Sequence, residues 1–137
     1  MTKIPVEAQV TADLDCVMLT SWPSYRSQIV RIGAIEKGLK WKHYFVNHMQ
    51  DWAHLEPWYV KLNPKAYVPT LVVKGTEGPN TDEGNPPQVG IGESGHILNY
   101  IDNNFEGTRD LMKNQDAQIK ERYEKLFDLH ENWDVEG

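Results

Sequence analysis

Three short stretches carry residue types that could hold a small polar ligand. The first is Ser21-Trp22-Pro23-Ser24-Tyr25, a loop feeding a helix. Helix N-termini favour anions and lower the pKa of a hydroxyl or thiol held there, and Ser24 stands where that effect is strongest. The second is Val68-Pro69, immediately before the apolar run Thr70-Leu71-Val72-Val73. Proline is tolerated at the start of a strand, and an X–Pro bond can be cis at a cost of about 0.5–1 kcal/mol. A cis bond there would turn the Val68 N–H and C=O outward, where an extended peptide-like ligand could pair with them. The third is Glu93-Ser94 at another helix start. Ser94 and its neighbouring amides could take a carboxylate, and Glu93 could accept from an ammonium. Together these suit a ligand with an α-amino-acid end at Ser94, a peptide-like middle along Val68 and a far end near Ser24. Glutathione has that shape.

Each of these residues also has a purely structural reading. Ser24 is a good N-cap, worth about 1 kcal/mol to a helix, and Glu93-Ser94 could be a cap and a first-turn acid. Cys16, the single cysteine, lies inside an apolar run and reads as an inert core thiol. It leaves no disulfide and no CxxC pair. Five histidines, with no HxxxH or HExxH spacing, give no metal site.

The elements that must position these residues follow from periodicity. Cys16–Thr20 reads as a buried strand. A helix runs from the Ser24 cap to Lys37, with Gly38 as its left-handed stop. Ile29, Ile32, Ala34 and Ile35 supply its apolar stripe, and Arg26, Arg31, Glu36 and Lys37 its outer face. Residues 41–46 form a second strand, completing a βαβ unit with a parallel pair and a right-handed crossover. Residues 47–62 are aromatic-rich and helical in parts, with Pro57 in a first turn. The strand at 70–73 pairs antiparallel with Val89-Gly90-Ile91 across a Gly-, Pro- and acid-rich loop, 74–88. That loop is longer than the usual hairpin connection of about two to five residues. A helix from Glu93-Ser94 to Phe105 presents Ile97, Leu98, Tyr100 and Ile101, and a last helix spans Thr108 to Trp133. Residues 1–15 read as a weakly structured leader.

The chain has 137 residues and a net charge of −6. It is the length of one domain or a domain plus a piece. Its acidity leaves no basic field for nucleic acid. It has no stretch of about 18 apolar residues that could span a membrane and no apolar signal region, so the expected location is the cytoplasm or an organelle interior.

The order β-α-β-α-β-β-α matches a thioredoxin-like α/β domain. The chain further resembles the N-terminal domain of cytosolic-type glutathione transferases, over roughly residues 15–137. The matching segments are SWPSYRSQIVRIGAIEKGL (21–39), NPKAYVPTLVV (63–73) and GESGHILNYID (92–102). EPWYVKLN (56–63) and HENWDVEG (130–137) are similar to the ganglioside-induced differentiation-associated protein 1 group, and to zeta-type and tetrachlorohydroquinone dehalogenase relatives. The resemblance implies a leader at 1–15, a glutathione-binding domain at 16–106, and the first helix of an all-helical C-terminal domain at 107–137. It implies glutathione as co-substrate. Ser24 would be the catalytic serine, Val68 would pair with the cysteinyl backbone, and Pro69 would be the family's cis-proline. Glu93 and Ser94 would hold the γ-glutamyl group. Arg31 matches a basic helix residue of structural importance.

Four departures bear on function. The 21–26 loop has no cysteine, which disfavours thiol–disulfide chemistry. Arg26 replaces a small residue. The 74–88 loop is long. The chain contains only one helix of a domain that has five or more in the family. Two functions are therefore expected from the sequence. One is a transferase that joins glutathione to a small electrophile, or isomerises one. The other is a non-catalytic subunit that binds a protein partner or pairs as a homodimer.

Overall fold

The computed structural model describes residues 3–21, 24–47, 51–76 and 85–107, and the single positions 111, 121 and 125. Four strands form one mixed sheet. They are β1 (Cys16–Thr20), β2 (Trp41–Phe45), β3 (Thr70–Lys74) and β4 (Gln88–Gly92), in the order β2-β1-β3-β4. β1 and β2 are parallel, joined through helix α1 (Tyr25–Lys37), while β3 runs antiparallel to both β1 and β4. Helix α2 (Pro57–Leu62) precedes β3 and helix α3 (Ser94–Asn104) follows β4.

The alternation of β1 divides the core in two. Val17 and Leu19 face one layer with Val46, Trp58, Tyr59, Leu62 and Val72. Cys16 and Met18 face the other, with Val30 and Ala34 of α1 and Ile97, Leu98 and Ile101 of α3. All five β1 residues are buried, as expected of a strand covered on both faces. Each fully buried large aliphatic side chain contributes about 1.5–3 kcal/mol, so the sheet is held from both sides.

Helix α1 begins at an N-cap, Ser24, whose hydroxyl accepts from the Ser27 N–H at 3.2 Å. It ends at Gly38, at φ 74°, where a side chain would be strained. Its buried face differs from the sequence-based stripe. Ser27, Val30, Gly33, Ala34 and Lys37 are buried, whereas Ile32 and Ile35 are 59% and 62% exposed. Polar Ser27 and Lys37 go inside because each finds a partner there. Ser27 Oγ accepts from the Ser21 N–H, and Lys37 Nζ meets Asp102 Oδ1 at 3.1 Å and the Asp102 carbonyl at 3.2 Å. Asp102 Oδ1 also accepts from the Leu111 N–H at 2.8 Å, so one buried carboxylate joins α1, α3 and the chain beyond them.

Residues 3–15 are not a loose leader. Ile4, Ala8 and Val10 are within 2% of full burial and belong to the α2-side core. Val6–Ala8 form a 3-10 turn, and the Gln88 side chain bonds both the N–H and the carbonyl of Val10. A segment this short shows no helical or strand period, so its fit to the core is set by tertiary contacts alone. On the same side α2 packs closely on β4, where a Cβ on Gly90 would run into the Leu62 carbonyl. Most of the 74–88 loop and nearly all of the expected 108–133 helix lie outside the described residues. No described helix is long and apolar enough to cross a membrane.

Candidate functional site

One row of the sheet brings the three candidate stretches together. Leu19 of β1 pairs with Thr70 of β3, and Thr70 pairs with Gly92 of β4. Just beyond this row the chain leaves β1 toward Ser24, enters β3 from Val68-Pro69, and leaves β4 into Glu93-Ser94. Ser24, Val68, Pro69, Glu93 and Ser94 therefore share one end of the sheet. Contacts confirm the proximity across elements. Lys65, in the loop before Val68, bonds Glu93 at 2.5 Å, and the charge of Arg26, in the first turn of α1, also acts on Glu93.

The Val68–Pro69 peptide bond is cis. Among the described residues, neither the N–H nor the C=O of Val68 meets a hydrogen-bond partner. The loop presenting it is braced from beneath by a closed ring of hydrogen bonds. Asn63 Nδ2 donates to the Tyr67 carbonyl at 3.1 Å and to Thr70 Oγ1 at 3.0 Å. Thr70 Oγ1 donates to Tyr59 Oη at 2.8 Å, and Tyr59 Oη donates to the Tyr67 carbonyl at 2.6 Å. Asn63 Oδ1 accepts from the Lys65 N–H. Asn63, Tyr59 and Thr70 are at most 5% exposed, and a buried polar network fully satisfied in this way rigidifies its surroundings. Burial drives the Tyr59 phenol well above its ordinary pKa, against the smaller opposing pull of Thr70, so it stays a neutral donor.

Glu93 sits at the N-cap of α3 with φ 67° and ψ 126°, and its side chain makes no capping bond. Ala66, two residues before Val68, also has positive φ, at 57°. Non-glycine residues in such regions cost on the order of 1–3 kcal/mol each and concentrate where a ligand is clamped. One oxygen of the Glu93 carboxylate meets Lys65, and the other lies 3.7 Å from His96 Nδ1 in the first turn of α3. The Lys65 hydrogen bond is the main cause that holds Glu93 below the usual carboxylate range, burial opposes it, and Lys65, His96 and Arg26 add Coulombic support. The same bond raises Lys65. Ser94 is buried at the start of α3, where first-turn N–H groups face out from the helix and carry its positive end.

Ser24 is partly buried and caps α1, so its oxygen accepts from Ser27 while its hydroxyl hydrogen remains available to a ligand. Cys16 lies away from this edge with no exposed surface, and burial pushes its thiol up to about 12. Trp22 and Pro23 lie outside the described residues. Lys65, His96 and the Asn63–Thr70–Tyr59 ring had no sequence signal as site residues. Lys65 and Glu93 are 28 positions apart, and only the Thr70–Gly92 pairing makes them neighbours. Thr20, at the end of β1 and 1% exposed, has a hydroxyl that meets no hydrogen-bond partner among the described residues.

Four mixed strands with α1 and α3 on one face and α2 on the other, and a cis-proline entering β3, define a thioredoxin-like α/β domain. Within that class, residues 23–104 match the family described as glutathione S-transferase, N-terminal domain. The match takes in more than half of the chain, and the chain belongs to that family. Solved structures agree on the fold. Ure2p in complex with glutathione is 22% identical, with a TM-score of 0.65 over 85% of this chain and 44% of its own. Glutathione transferase Omega 2S from Trametes versicolor, in complex with 2,4-dihydroxybenzophenone, is 20% identical, with a TM-score of 0.64 over 88% of this chain and 50% of its own. Beta-etherase LigF from Sphingobium sp. strain SYK-6 is 20% identical, with a TM-score of 0.66 over 85% of this chain and 42% of its own. The chain spans half or less of the length of these three proteins.

Proposed function

We propose that this chain binds glutathione across the edge formed by Ser24, Val68 and Glu93-Ser94. The observation that carries the reading is the shared sheet row, Leu19–Thr70–Gly92, at whose end the chain segments carrying Ser24, Val68 and Glu93-Ser94 lie side by side. The cysteinyl backbone of the ligand pairs with Val68 after the manner of an added strand. Its γ-glutamyl carboxylate lies at Ser94 and the positive end of α3, and its ammonium approaches Glu93. Its thiol lies toward Ser24 and Arg26. A hydroxyl donating to sulfur and a nearby guanidinium both favour the thiolate. The thiolate then attacks a small electrophile, forming a carbon–sulfur bond as the leaving group departs with the bonding pair, and the thiol proton passes to solvent. The crystallisation of Ure2p with glutathione supports a ligand of this kind in the fold.

Calorimetric titration with glutathione tests binding, and turnover of a chlorinated nitrobenzene tests chemistry. The expected results are saturable binding and a Ser24→Ala variant that loses turnover far more than affinity. Unchanged turnover in that variant removes Ser24 from the mechanism. Absence of binding removes the reading. A second reading, a non-catalytic subunit docked on a protein partner or a second copy, draws on the outward Ile32 and Ile35 of α1. Sedimentation equilibrium decides it, since a strict monomer at all concentrations excludes the homodimer.

A further inference from the structure

We infer that Lys65 competes with a ligand's α-ammonium for the Glu93 carboxylate, and so sets how strongly this site selects γ-glutamyl ligands that carry a free amino group. The inference rests on the reading that glutathione binds at this edge. Glu93 is the acceptor placed to meet that ammonium, yet one of its oxygens already holds a cation of the chain and the other lies against an imidazole ring. Lys65 Nζ lies 2.5 Å from Oε1 and His96 Nδ1 lies 3.7 Å from Oε2. Arg26 adds positive charge from the first turn of α1. A further cation at Glu93 therefore meets a charge that is already compensated, and it meets like-charge repulsion from Lys65.

The geometry also says why Lys65 is displaceable. Its backbone is fixed, because its N–H donates to Asn63 Oδ1 at 3.2 Å within the braced loop. Its side chain is 65% exposed, while that of Glu93 is 31% exposed. Exposed lysine–carboxylate pairs are weak because water screens them and the long side chain loses entropy on being held. An incoming ammonium can displace Lys65 into solvent, at the expense of most of what its own contact with Glu93 would contribute. The amino group then adds little to affinity, and recognition falls on the carboxylate at Ser94 and the peptide backbone at Val68.

The test is a pairwise titration of glutathione and its desamino analogue, glutaryl-cysteinyl-glycine, against wild-type protein, Lys65→Met and Lys65→Arg. Wild type is expected to favour glutathione by less than about threefold. Lys65→Met should tighten glutathione by about two- to fivefold, the scale of an exposed ion pair, and leave the desamino peptide unchanged. Lys65→Arg, which keeps the cation, should return the wild-type ratio. A wild-type preference of about tenfold or more that Lys65→Met leaves unchanged or lowers overturns the inference while leaving glutathione binding intact. Failure of both peptides to bind any of the three proteins overturns the binding reading, and this inference with it.

Discussion

Asn63→Asp swaps an amide for a carboxylate of almost the same shape at the centre of the ring beneath Val68. In the wild type, Asn63 Nδ2 donates to the Tyr67 carbonyl and to Thr70 Oγ1. An aspartate supplies two acceptors there and faces two oxygens. The Tyr67 carbonyl keeps its bond from Tyr59, and Thr70 keeps its own donation to Tyr59, so the ring opens without losing every member. Two lost bonds at about 0.5–1.5 kcal/mol each, plus the desolvation of a carboxylate at a position only 5% exposed, give a loss of at least about 2 kcal/mol at pH 7. The loss must depend on pH in a particular direction. Burial raises the folded-state pKa of the new aspartate above its unfolded value, against the one donor left to it, the Lys65 N–H. The variant is then least destabilised below about pH 4, the ordinary range of an aspartate, and the penalty grows as pH rises through the folded pKa. Asn63→Ala loses the same two bonds but should show no such slope. Urea midpoints of the three proteins between pH 4 and 8 provide the assay. An Asn63→Asp variant within about 0.5 kcal/mol of wild type at pH 7, or one whose deficit is the same at every pH, would refute the ring as the brace of this loop.

Three further outcomes follow from the packing. Asp102→Ala removes the carboxylate that faces Lys37, which has no exposed surface, and should destabilise by about 3–5 kcal/mol. Lys37→Met with Asp102→Leu should recover most of that in chemical denaturation, and an additive double variant would contradict the coupling. Cys16, pushed up to about 12 by burial and then by Asp15, should resist iodoacetamide at pH 8 until urea unfolds the protein. Its raised pKa means that its contribution to stability is complete below about pH 9 and fades as pH rises toward 12. Rapid native labelling would show that the strand is open. Gly90→Ala drives a methyl group into the Leu62 carbonyl and should destabilise by about 1–3 kcal/mol in thermal unfolding, where an unchanged midpoint would mean that α2 and β4 separate easily.

Local signals carried much of this architecture. Ser24 and Gly38 bound α1 because a cap hydroxyl and a left-handed stop are chemistry within a few residues of the chain. The apolar runs at 16–20 and 70–73 marked two strands of the sheet. The chain from Glu93-Ser94 onward continues as α3, beginning at Ser94. The buried face of α1 was not legible, because Lys37 lies inward on Asp102, 65 positions away, while Ile32 and Ile35 lie outward. Residues 3–15 were misread for the same reason, since the partner that holds Val10 is Gln88. At the candidate site the five residues named from sequence do gather at one edge. What sequence could not show is that Glu93 already has a partner, because a lysine in one loop and a glutamate in another have no spacing in common.

The account stands on a ligand lying across Val68 and the start of α3, and amide chemical-shift mapping during a glutathione titration tests that most directly. The shifts should concentrate at Ser24 to Ser27, at Tyr67 and Val68, and at Glu93 to His96, saturating with a single dissociation constant, while β2 and the Val6–Ala8 turn stay still. Saturable shifts confined to another face of the sheet, or no shifts at millimolar glutathione, would contradict it.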